Sequence, residues 1–306
     1  MKKTRLEVFS KIVLFVIIII ASVIIWKNGS AWLDKIQNYS WVLNYKLLSI
    51  SAILLVISLA LTPLGWVLIC QPLNTQIPLK EMFAAWYNSQ LGRYIPGKIW
   101  LFAGRAGFLK AKGLQTSTAA ATTVFELFFN IASIGLIALI TFLFEPDILT
   151  FHGAKAVILT ASISLLLFPL LRPIQKIICK KKGIESNLIP DFKTSVITTT
   201  VFAVLWALRG LALLLLLKGV GLTNMLFFRS LAAAPLSWLA GYIVFFVPGG
   251  IGVREAAAAA IAAPTLITQA TIVIAGQRIF MAIIDLLLAL VTARNIKLES
   301  LKKEEK

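Results

Sequence analysis

The sequence predicts an all-α integral membrane protein with about six transmembrane helices and two re-entrant helical hairpins, arranged as an inverted repeat. Three observations carry this. Of the 306 residues, 59% are hydrophobic and only 14% charged, where a soluble domain has about 25% charged residues. The charges avoid long stretches: residues 12–26, 47–79, 113–125, 127–144, 156–171, 194–208 and 210–217 hold none. Two further apolar segments are each broken by Pro-Gly, at Pro96-Gly97 and Pro248-Gly249. A bilayer-spanning helix needs roughly 20 mostly apolar residues, and one soluble core cannot hide so many such runs.

The net charge is +17. On a soluble chain that would suggest nucleic acid; here the basic residues fit a cytoplasmic membrane face, so no nucleic-acid partner is expected. Lys2, Lys3, Arg5 and Lys11 place the N-terminus inside. The run 12–26 lacks a small-x-small cleavage site and reads as a permanent first helix. Helix 2 (about 47–70) returns, and helix 3 (about 115–143) exits to an acidic loop with Glu145 and Asp147. Helix 4 (about 155–171) leads into the basic loop 172–193, the strongest positive-inside signal in the chain. Helix 5 (about 194–217) goes out. The last helix (about 266–293) comes in, since the tail 294–306 holds Arg294, Lys297, Lys302, Lys303 and Lys306. The whole chain is one polytopic domain with pseudo-repeats near 45–143 and 194–293.

Segments 81–112 and 224–264 each begin and end on one side in this topology. Re-entrant hairpins satisfy that; full spans, giving about eight helices, are the alternative. Proline removes a backbone donor and glycine weakens the helix, and non-helical backbone at membrane depth must be buried in protein or face a water-filled cavity. Paired Gly/Pro-broken segments in two halves point to a transporter site. A half-helix starting after each break presents free N–H groups and a positive dipole end, which suits an anion. Lys98, Arg105 and Arg254 add full charges nearby, so a phosphate-bearing lipid headgroup is the expected guest. A plain kink at each break is the competing reading.

Charges inside apolar runs are the second clue: Glu126, Arg209, Arg278 and Asp285. Each costs roughly 2.5–3.5 kcal/mol on insertion scales, so they should face the interior and pair. Glu126 with Arg254 or Arg278, and Arg278 with Asp285 seven residues on, are the expected couples, either static or switchable. Glu255, at the start of a half-helix, suits the dipole there. Cys70 and Cys179 suggest neither a disulfide framework nor a metal site, and His152 reads as an ordinary loop residue.

The strings Leu91-Gly92-Arg93-Tyr94-Ile95-Pro96-Gly97-Lys98 and Pro248-Gly249-Gly250-Ile251-Gly252-Val253-Arg254-Glu255-Ala256, with Arg105, Gly113, Glu126, Arg278 and Asp285, resemble the transmembrane region of the lysylphosphatidylglycerol synthase/flippase family. The resemblance covers about residues 10–295. It implies a multi-pass protein of a bacterial or archaeal cytoplasmic (inner) membrane, with both termini cytoplasmic, moving a lipid headgroup between leaflets. The membrane lipid would be anionic, aminoacylated or of polyprenyl-phosphate type. The chain leaves no room for the family's synthase domain, so no transferase activity is carried over. No P-loop, Asp-x-Asp or metal cluster is visible; an enzyme is not expected, nor any cofactor. An accessory protein of a lipid or polysaccharide synthesis pathway is the alternative, and a homo-oligomer stays open.

Overall fold

The computed structural model describes residues 34–73, 76–94, 99–146, 190–222, 225–244 and 247–304. The helices expected near 12–26 and 155–171 lie outside them, as do most of the basic loop, His152, Cys179, and Pro96, Gly97 and Lys98. Among the described residues every regular element is helical. Four stretches are long and apolar enough to cross a bilayer: Tyr45–Leu73, Thr116–Phe144, Phe192–Gly219 and Ile267–Arg294.

The first span comprises α1 (Tyr45–Leu61) and α2 (Pro63–Cys70). The sequence predicts one helix over about 47–70. It is divided at Thr62 because Pro63 has no N–H to continue the ladder and its ring crowds the preceding turn. The Thr62 hydroxyl donates instead to the Ser58 carbonyl at 2.7 Å. Next come α3 (Leu79–Gln90) and α4 (Ile99–Ala111), joined through a tight turn at Leu91–Tyr94. The second span is α5 (Thr116–Phe144) and the third α6 (Phe192–Gly219). Then α7 (Phe227–Ile243) and α8 (Val253–Ala262) flank a tight turn at Pro248–Gly250. Finally α9 (Ile267–Glu304) forms the fourth span and runs beyond it. It continues past the predicted end at 293 because the tail holds no Gly or Pro and is rich in Lys, Leu and Glu, all strong helix formers.

The order span, broken hairpin, span therefore occurs twice. At about 1.5 Å per residue, α3, α4 and α8 reach roughly 15–20 Å, short of a hydrocarbon core of about 30 Å.

Seven-residue steps lock α1 against α6. The Asn44 amide donates to the Gly219 carbonyl at 2.8 Å. The Ser51 hydroxyl donates to the Ala212 carbonyl at 2.6 Å, and that of Ser58 to the Leu205 carbonyl at 3.1 Å. Each advance of seven on α1 matches a retreat of seven on α6, so the two run antiparallel with a near-3.5-residue seam. Elsewhere close approach needs glycine. A Cβ on Gly210 would sit 2.5 Å from Leu231 Cα, where α6 crosses α7.

One end of the bundle gathers Tyr39, whose hydroxyl donates to the Gly221 carbonyl at 2.9 Å, and the α5–α7 junction. At that junction Glu145 pairs with Arg229 at 3.2 Å and accepts the Phe228 amide, and the rings of Phe144 and Phe228 stack 4.4 Å apart. At the first hairpin's open end, Glu81 pairs with Lys112, so residues 81–112 do start and finish together. An outer face of exposed Ile53, Ile57, Val204, Ile279, Ile283 and Leu290 fits lipid and not water. This is a multi-pass membrane protein.

Candidate functional site

The two hairpins meet at the turns Leu91–Tyr94 and Pro248–Gly250, and beside them lies a hollow of about 150 Å³. Five arginines line it: Arg93, Arg105, Arg209, Arg254 and Arg278. Two carboxylates join them, Glu126 and Asp285. A charge costs far less beside an opposite charge or a fixed hydrogen bond than alone in a low dielectric, and each group can be followed on that basis.

Arg105, on α4, is 2% exposed. It pairs with Glu126 of α5, and its Nε donates to the Ser89 hydroxyl at 2.9 Å. Its guanidinium lies 4.9 Å from the Trp86 ring centroid and 5.9 Å from that of Trp66. Glu126 also accepts the Trp86 indole N–H at 2.9 Å. The Arg105 guanidinium thus lies near two indole rings, which favour a cation.

Arg278 shows why the second break is stable. Its guanidinium donates to the Gly249 carbonyl at 2.7 Å and to the Gly250 carbonyl at 3.3 Å. It also pairs with Glu255 in the first turn of α8. Gly249, Gly250 and Gly252 have φ of 60°, 69° and 82°, values open to glycine at little cost. The string PGGIG thus turns the chain, and one arginine satisfies two of the carbonyls that the turn frees.

Two turns along the same face of α9, Asp285 pairs with Arg93 in the turn of the first hairpin. Arg209 of α6 donates to the hydroxyls of Ser58 and Thr62, the former at 2.9 Å, and lies 4.7 Å from the Trp206 ring centroid. Arg254 lies 5.9 Å from the Trp238 centroid and close over Gly241, where a Cβ would meet its side chain at 2.4 Å.

The model of the lysylphosphatidylglycerol synthase TM region family matches residues 12–289. The chain belongs to that family. No curated protein and no solved structure matches it. The family region contains both breaks, the five arginines and the three carboxylates, so the site lies wholly inside the part that defines the family.

The structure brings Arg93, Arg105, Glu126, Arg209, Gly249, Arg254, Arg278 and Asp285 to one hollow, with Glu255 and Gly250 bonded to Arg278 behind it. Tyr94 lies in the first turn and Pro248 opens the second. Pro96, Gly97 and Lys98 fall outside the described residues. The couples differ from those expected. Glu126 takes Arg105, Arg278 takes Glu255, and Asp285 takes Arg93. Residues seven apart share a face of α9, but their side chains project outward to different neighbours and not along the helix to each other. Sequence reasoning missed Trp86, Trp206, Trp238, Ser58, Thr62 and Ser89. Trp206 and Arg209, three apart on one helix, carried the only such signal; tryptophan in membrane proteins otherwise points to the interface.

Proposed function

We propose that this protein is a transporter, not an enzyme, and that it moves a phosphate-bearing lipid or lipid-linked headgroup across the cytoplasmic membrane. The observation that carries the reading is the arginine-rich hollow between two broken hairpins that touch at their turns. Guanidinium groups with planar, fixed donor forks match phosphate oxygens. The repeated order of span, broken hairpin and span, with antiparallel first spans α1 and α6, supports an inverted repeat over about 45–143 and 194–293, in which two halves rock about a central site. Lipid tails would lie along the exposed apolar flanks while the headgroup crosses inside. On this reading both termini face the cytoplasm.

The test is lipid translocation in proteoliposomes holding purified full-length protein. Arg105→Ala, Glu126→Ala and Arg254→Ala should each abolish movement of a labelled phospholipid between leaflets. Wild-type rates in all three variants would overturn the proposal. Failure of the pure wild-type protein to move any lipid would favour the accessory role.

A further inference from the structure

Between its charged groups the hollow is lined by neutral polar side chains. Gln90 closes α3 and Gln277 lies on α9, two helices that pack together, and both residues line the hollow. Both are partly buried, and neither side chain has a hydrogen-bond partner among the described residues. Each such amide offers two N–H donors and an acceptor oxygen. Asn130 of α5 joins them in the lining. Its amide donates to the Glu126 backbone carbonyl at 3.0 Å and accepts the Trp206 indole N–H at 3.3 Å, which fixes the group and leaves one N–H over. A row of rings forms another part of the wall. The centroids of Trp206 and Trp238 are 5.7 Å apart, and Tyr242 stacks on Trp238 at 5.0 Å. The two carboxylates of the lining, Glu126 and Asp285, are each bound by an arginine.

We infer that the headgroup taken here bears an uncharged polyol beside its phosphate, a glycerol or a single sugar-like ring, and that ammonium-bearing headgroups are disfavoured. This rests on the reading of the hollow as a lipid headgroup site. A hydroxyl both donates and accepts, so it matches a mixed set of amides. An ammonium only donates, and both carboxylates it could meet are already engaged. The carbon-bound hydrogens of a polyol present an apolar face, which aromatic rings with a polar handle cover well. The size agrees, since about 150 Å³ is roughly the volume that takes one small ring. A hydroxyl replaces the bonds that water makes to such amides; an alkyl group does not.

The experiment measures equilibrium binding of four lipids with the same acyl chains to the purified full-length chain by native mass spectrometry. The lipids are phosphatidylinositol, phosphatidylglycerol, phosphatidylethanol and phosphatidylethanolamine. The first three carry the same charge, so only their hydroxyls differ. Phosphatidylinositol or phosphatidylglycerol should bind at least about tenfold more tightly than either of the others, the gain expected of two or three neutral hydrogen bonds. Whichever of the two is tighter distinguishes a ring from an open-chain polyol. Gln90→Met and Gln277→Met keep the length of the side chain and lose the amide, and each should narrow that preference at least about threefold, with a melting curve as the check on folding. Phosphatidylethanol or phosphatidylethanolamine binding as tightly as both polyols would overturn the inference and leave the headgroup site intact. So would a full preference in both folded variants. Absence of binding by all four would overturn the headgroup site itself. The wild-type series decides the matter even if neither variant folds.

Discussion

Replacing Glu126 by glutamine removes one charge and little else. The amide oxygen can still accept the Trp86 indole N–H now held at 2.9 Å, and side-chain volume is nearly unchanged. Arg105 is left 2% exposed, with a hydroxyl and two ring faces but no carboxylate. Breaking a buried pair from one side costs about 3–5 kcal/mol, because the remaining charge stays desolvated. The melting temperature in detergent should then fall on the order of 10 °C. The double replacement Arg105→Met with Glu126→Gln removes the stranded charge and puts an apolar side chain beside Trp66 and Trp86. Ser89 keeps its bond to the Trp86 carbonyl at 2.7 Å. The double variant should therefore recover more than half of the loss, and a double-mutant cycle should give a coupling of about 2 kcal/mol or more. A single variant that melts within a degree of wild type would refute the reasoning. So would a double variant no more stable than the single one.

Three further outcomes follow from the packing. Arg278→Ala strips the Gly249 and Gly250 carbonyls and Glu255 of one shared donor group and should cost about 3 kcal/mol or more, whereas Arg278→Lys, a point charge without the fork, should recover only part; thermal unfolding checks both. Gly210→Ala forces α6 and α7 apart at Leu231 and should destabilise by about 1–3 kcal/mol, while Gly276→Ala, where a Cβ meets nothing within 4 Å, should be neutral or stabilising in the same assay. Ser58→Ala removes both the donor to Leu205 and the acceptor for Arg209, and should cost about 1–3 kcal/mol, clearly more than Ser51→Ala, which loses one bond.

Much of the architecture was legible because a bilayer makes sequence speak loudly. The uncharged runs either side of Glu126 and of Arg209 predict helices over about 115–143 and 194–217, within two residues of the ends of α5 and α6. The string PGGIGVREA located the second break, since glycine at positive φ followed by a half-helix with an early Glu is local chemistry. Glu126, Arg209, Arg278 and Asp285 were visible because each stood alone among apolar neighbours. Who pairs with whom was not legible. That depends on how α9 is rotated against α3 and α8, a tertiary fact with no trace in spacing. Pro63 leaves no mark on hydropathy, because the stretch around it holds no charge. Ser58, Thr62 and Ser89 were invisible for a different reason: small hydroxyl residues are common in helices that pack closely, and only the arginine beside them gives them a task.

Helix α9 holds one hairpin corner through Arg278 and the other through Asp285, seven residues away on a single stiff rod. Neither corner can shift by an ångström without straining a grip that the same rod keeps on its counterpart. Twisting or sliding this rod would loosen both fastenings in one stroke, which makes α9 the natural place to jam the molecule with a cross-link and so to learn whether its two halves ever move apart.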